Sequence, residues 1–111
     1  MNNYAEFWPF YLREHSKPQT RGMHYAGSFV ALSFIAAAIT SHRPLLLLGA
    51  IFSGYGFAWI SHFFMEKNRP ATFKYPLYSF VSDWKMWALW LVGKLGPELE
   101  KAGVSAVVRP A

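Results

Sequence analysis

The stretch Trp59-Ile60-Ser61-His62-Phe63-Phe64-Met65-Glu66-Lys67-Asn68-Arg69-Pro70 decides how this chain is read. It closes an apolar run that begins at Leu45, and polar groups appear abruptly at its end. His62 and Glu66 stand four residues apart and share one face of a helix, with Tyr55 and Trp59 extending the same stripe. A histidine and a carboxylate on one face, at the mouth of a hydrophobic helix, fit two situations. One is a metal site. The other is a polar cap where a membrane helix meets water.

Composition favours a membrane setting. Charged residues make up 15% of the chain, against about 25% in soluble domains, while aromatics reach 19%. Aromatic rings concentrate at the headgroup level of a bilayer. The mean hydropathy of +0.13 places much of the chain at or outside the hydrocarbon. A net charge of +5 suits anionic lipid headgroups, and no Gly-rich, Lys-rich or recognition-helix pattern points to nucleic acid. The chain has no cysteine, which excludes disulfides, thiolate metal sites and a cysteine nucleophile. Its 111 residues are expected to form one domain over 1–111, too small for a second core.

Working outward from the quoted stretch, 45–65 is about 31 Å long as a helix, close to the hydrocarbon thickness. A second apolar run over 23–41 reaches about 28 Å by the same rise. His42-Arg43-Pro44 separates them, so the two runs are expected to form an antiparallel transmembrane hairpin. Gly27, Ser28, Ala31, Gly49, Ser53 and Gly54 offer small surfaces for close packing. Counted from the turn, His24 and His62 differ in height by only ~2–3 Å, which puts them level on adjacent helices. Arg13, Lys17, Arg21, Lys67, Arg69 and Lys74 gather at that end and only Arg43 at the turn. The positive-inside rule then makes the histidine end cytoplasmic, with Asn2 and Asn68 on that side and His42 on the other.

At the N-terminus, Tyr4, Phe7, Trp8, Tyr11, Leu12 and His15 recur at helical spacing. The segment 4–16 reads as an interfacial helix with Pro9 in its first turn, followed by a turn over 16–20. It lacks the pattern of a secretory signal. The segment 77–95 is apolar but carries Asp83 and Lys85, and reads as a third membrane-associated helix whose Asp83 faces the bundle. Residues 96–111 read as a short tail. The fold class expected is therefore all-α, a small polytopic membrane helical bundle.

His15, His24 and His62, predicted on one side, are candidate metal ligands, since neutral imidazole suits Fe, Zn and Cu. Glu66 is a candidate fourth ligand or a group that orients one, and otherwise an ion-pair partner of Arg69. Arg21, Lys67 and Arg69 are candidates for binding a carboxylate, or are lipid anchors. Two other classes stay open on spacing alone. They are a non-catalytic scaffold or small transport subunit, and a bis-histidine haem protein using His24 and His62.

Two blocks carry a resemblance. Tyr11-Leu12-Arg13-Glu14-His15-Ser16-Lys17-Pro18 with Thr20-Arg21 and Met23-His24-Tyr25-Ala26-Gly27 resembles the opening block of the Mpo-like family of small multi-pass membrane proteins. Trp59, His62, Glu66, Arg69, Pro70 and Ala71, through Tyr75-Pro76-Leu77 and Asp83, resemble its second block, in the form of a short bacterial branch. The family's founding member is a fungal 2-hydroxy-fatty-acid dioxygenase. The resemblance implies Fe(II), O2 and a lipid or fatty-acid substrate shortened by one carbon, in a bacterial inner membrane. It implies His15, His24 and His62 as ligands and Glu66 as the family's carboxylate; Glu66 and Arg69 are then the catalytic candidates, and Arg21, Lys67 and Trp59 the candidates at the substrate. Ile60 and Ser61 stand where the family has Gln and Gly, and one membrane segment of longer members is missing.

Overall fold

The computed structural model describes residues 3–104, and among them every regular element is helical. The framework is a hairpin of two long helices. Helix α2 runs Pro18–Ser41, and α3 runs Leu46–Ile60 before continuing as a π-helical turn over Ser61–Glu66. Pro18 takes the first position of α2, where its missing N–H has no partner to lose. That helix therefore starts ahead of the expected Met23, and the turn foreseen over 16–20 is mostly helical. His42 closes α2 in the left-handed conformation, φ 56°, and the chain reverses through Arg43 and Pro44. Both arms are long and apolar enough to cross a membrane. Leu48 and Phe52 stand exposed on the outer face of α3, a surface that suits lipid.

Two glycines let the arms meet. A Cβ on Gly27 would lie 2.9 Å from Cβ of Phe57, and one on Gly49 would lie 2.4 Å from the Phe34 ring. Any larger residue at Gly27 would push the helices apart at the level where the histidines stand.

The remaining helices build a second layer at the open end of the hairpin. Helix α1, Tyr4–Arg13, is capped by the Asn3 side chain, which accepts from the Glu6 N–H. Pro9 sits in its middle rather than its first turn, leaving the Ala5 carbonyl without its usual donor. The aromatic stripe expected to lie along the membrane is turned inward. Phe7, Trp8, Tyr11 and Leu12 are buried against Met86, Leu95 and Leu99. The partners come from α4, Pro76–Leu91, and α5, Leu95–Lys101.

At sixteen residues, α4 is shorter than a bilayer span. The start of the expected tail is thus core: Leu99, Ala102 and Val104 are buried, and Trp8 Nε1 donates to Glu98 at 3.0 Å. No period announced this, because α5 is only seven residues long. The expectations placed on Asn2 and on 105–111 lie outside the described residues. Asp83 does face the interior, accepting from the Tyr11 hydroxyl at 2.5 Å.

Candidate metal centre

Three separate segments deliver the histidines. His15 lies just past α1, and Arg21 Nη1 holds its loop by donating to the carbonyls of His15, at 2.8 Å, and Ser16, at 3.0 Å. His24 stands on α2, two turns into the helix. His62 stands on the π-helical turn, where an added residue per turn rotates the side chains relative to α3. The turn ends at Lys67, left-handed with φ 61°, and the Asn68 N–H returns to the His62 carbonyl at 2.9 Å.

All three rings are buried, and their Nε2 atoms converge. The separations are 2.7 Å for His15–His24, 2.9 Å for His15–His62 and 3.2 Å for His24–His62. Two of the tautomers follow from the outer nitrogens. His15 Nδ1 faces the Tyr11 carbonyl at 2.7 Å, which can only accept, so Nδ1 carries the proton. Asn68 Nδ2 donates to the Glu14 carbonyl at 3.1 Å, which turns Asn68 Oδ1 toward His62 Nδ1 at 2.7 Å and places a proton there too. At least two Nε2 lone pairs therefore point into one small space. Lone pairs so placed repel one another until a metal ion, or a proton on His24 Nε2, sits between them. Ligands about 2.1 Å from a metal and at right angles lie ~3.0 Å apart, which matches these separations. Burial beside His24 and His62 holds His15 well below the ordinary imidazole range, so it stays neutral and able to ligate.

The other sequence candidates are placed differently. The carboxylate of Glu66 turns away from the rings and anchors the α1–α2 junction. It accepts from the Ser16 N–H and hydroxyl, from the Lys17 N–H and from Thr20 Oγ1. Arg21 is buried and holds the His15 loop. Lys67 and Arg69 are exposed beside Phe63 and Phe64. Trp59 meets the Phe73 ring edge-on at 5.1 Å. His42 is at the far end of the hairpin. Asn68 and Tyr11 went unrecognised as supports. Asn68 lies in a loop where no spacing rule points to it, and Tyr11 acts through its backbone carbonyl as well as its ring, stacked 4.0 Å from His15.

A haem between His24 and His62 does not fit. Axial nitrogens stand on opposite faces of the iron, about 4 Å apart at ordinary metal–nitrogen lengths. Here they are 3.2 Å apart, and His15 Nε2 occupies the plane between them.

The family model described as 2-hydroxy-palmitic acid dioxygenase Mpo1-like matches residues 1–95, and the chain belongs to that family. No curated protein and no solved structure matches it.

Proposed function

We propose that this Mpo1-like chain is a membrane-embedded Fe(II)-dependent dioxygenase that shortens 2-hydroxy fatty acids by one carbon, with His15, His24 and His62 holding the metal. The observation that carries the reading is the convergence of three buried Nε2 atoms, with the outer nitrogens of His15 and His62 already fixed by hydrogen bonds. When bound, Fe(II) supplies open positions for a chelating 2-hydroxycarboxylate and the electrons that make O2 reactive toward the bond between C1 and C2.

The chain's own residues prepare that site. The Tyr11 carbonyl and Asn68 Oδ1 keep the protons on Nδ1, so Nε2 of His15 and His62 are free to ligate. Arg21 and Glu66 both hydrogen-bond the segment from His15 to Lys17, which ties down the one ligand outside the hairpin. The surrounding aromatic layer of Phe7, Trp8 and Tyr11 limits water at the rings. With the hairpin across the inner membrane, Lys17, Lys67, Arg69 and Lys74 put the site at the cytoplasmic surface, where a fatty acid in the inner leaflet presents its head. The whole chain acts as one membrane-embedded domain.

The test is turnover. Protein purified without metal and loaded anaerobically with Fe(II) should convert a 2-hydroxy fatty acid to the acid one carbon shorter only when O2 is admitted. Loaded protein that leaves the acid intact in air would overturn the assignment.

A further inference from the structure

A cavity of about 200 Å³ lies between α2, α3 and α4, and it reaches His24. His24 and Asp83 line it, and the same two residues line the small recess that holds His15 and His62. Away from that end the walls are apolar: Ala31 and Ile35 from α2, Ile51 and Gly54 from α3, Phe80 and Trp84 from α4. Ile51 and Phe80 are half exposed, so the cavity opens sideways at the surface of the hairpin. A Cβ built on Gly54 meets nothing within 4 Å, although Gly54 is a wall residue. Space is kept there that a larger side chain could fill.

Helix α4 divides its inner surface between two chemistries. Ser79 and Asp83 are four residues apart and share the edge toward the recess; Phe80 and Trp84 share the next edge, toward the cavity. The Ser79 hydroxyl is 2% exposed and has no hydrogen-bond partner among the described residues. A buried hydroxyl left so is costly unless a ligand completes it. Of the two Asp83 oxygens, Oδ1 is taken by Tyr11, and the other is open to a donor when the carboxyl is ionised. A recess with a hydroxyl donor and a carboxylate, leading through Asp83 and His24 into a cavity whose walls are mostly hydrocarbon, matches one molecule with a polar head and an acyl tail.

We propose that α4 is the substrate-reading helix: Ser79 donates to the carboxylate and Asp83 accepts from the 2-hydroxyl, while Phe80 and Trp84 close the cavity over the first part of the acyl chain. This rests on the 2-hydroxy acid reading of the metal centre and adds where that acid lies. At about 200 Å³ the cavity encloses only the first part of a long acyl chain. The remainder leaves through the side opening into lipid.

Photo-crosslinking tests the placement without relying on turnover. The full chain in nanodiscs, loaded with Fe(II) under argon, is irradiated with a 2-hydroxy fatty acid carrying a diazirine near carbon 6, and the labelled residues are mapped. Labels should fall on Tyr55, Phe80 or Trp84. Gly54→Leu should remove them while metal content per chain stays at the wild-type value. Ser79→Ala should lower cavity labelling about tenfold, the worth of one hydrogen bond. Asp83→Ala should lower labelling by the hydroxylated probe and leave labelling by the same probe without its 2-hydroxyl unchanged; a merely structural role would lower both alike.

Labels spread over lipid-facing residues such as Ile39 and Phe52, or cavity labels indifferent to Gly54→Leu, would overturn the proposal. Cavity labelling as described with no acid consumed in air would leave the cavity standing and remove the reaction. Acid consumed while labels fall elsewhere would do the reverse.

Discussion

His62 Nδ1 donates to Asn68 Oδ1 at 2.7 Å, and the Asn68 amide is itself fixed by the Glu14 carbonyl. A loop residue outside the histidine cluster thus sets the tautomer of one of its members. Asn68→Ala should weaken metal binding about 10–100-fold, the usual effect of removing a group that orients a ligand. Asn68→Asp keeps an acceptor in place and should recover most of it. Competition titration against a metal-sensitive chelator reads both values, and equal affinity in Asn68→Ala would mean that the contact orients nothing.

Glu66 gathers four donors, three from the two residues before α2 and one from Thr20 in its first turn, so its role is read as structural. Hydrogen bonds to a charged group contribute about 1.5–3 kcal/mol each when buried, and less at a partly exposed carboxylate such as this one. Glu66→Ala should lower the melting temperature in detergent by several degrees yet leave about one metal bound per chain at low temperature. Loss of metal from a variant that still melts like the wild type would restore Glu66 to the ligand set.

Gly27 and Gly54 look alike in sequence and should behave oppositely. A side chain at Gly27 meets Phe57 at 2.9 Å, whereas one at Gly54 enters open space. Gly27→Leu should destabilise the hairpin by about 1–3 kcal/mol, the cost of overpacking. Gly54→Leu should melt within a degree or two of the wild type. Thermal scans of the two variants in one detergent make the comparison.

Two groups outside the spanning helices give stability an optimum in pH. His15 is held well below its ordinary 6.5 by burial and by its neighbours His24 and His62, so the unfolded chain takes up a proton below 6.5 that the folded chain refuses. Its contribution is complete above 6.5 and is lost as pH falls below that value. Burial raises Asp83 to about 7 from 3.8, the Tyr11 hydrogen bond opposing in part, so the folded chain keeps a proton that the unfolded chain has released. That contribution is complete below 3.8 and is lost as pH rises through about 7. Asp83→Asn should therefore raise the melting temperature at pH 8, where wild type carries a buried charge, and change it little at pH 4. A variant less stable than wild type at pH 8 would contradict the assignment.

The hairpin was legible because two long apolar runs with one short break leave few alternatives. The level pairing of His24 and His62 followed from counting along two antiparallel helices. His15 was legible as a candidate, but its approach was not, because a loop held by Arg21 has no period. Glu66 was drawn toward the metal by the i,i+4 rule, which assumes an α-helix. The π-helical turn over Ser61–Glu66 breaks that spacing and turns the carboxylate to α2. The inward turn of α1 was hidden as well: an aromatic stripe faces lipid or protein with equal ease, and the cover supplied by α5 lies in a segment too short to show periodicity.

The central claim is one metal held by three histidines, and metal analysis of single-alanine variants tests it most directly. Wild-type protein reconstituted with Fe(II) under argon should carry about one iron per chain, as expected of a single site, without the visible bands of a haem. His15→Ala, His24→Ala and His62→Ala should each lose most of it. His42→Ala, at the far end of the hairpin, should retain it in full. Iron held equally by His42→Ala and the three site variants, or a wild-type chain that takes up none, would contradict the account.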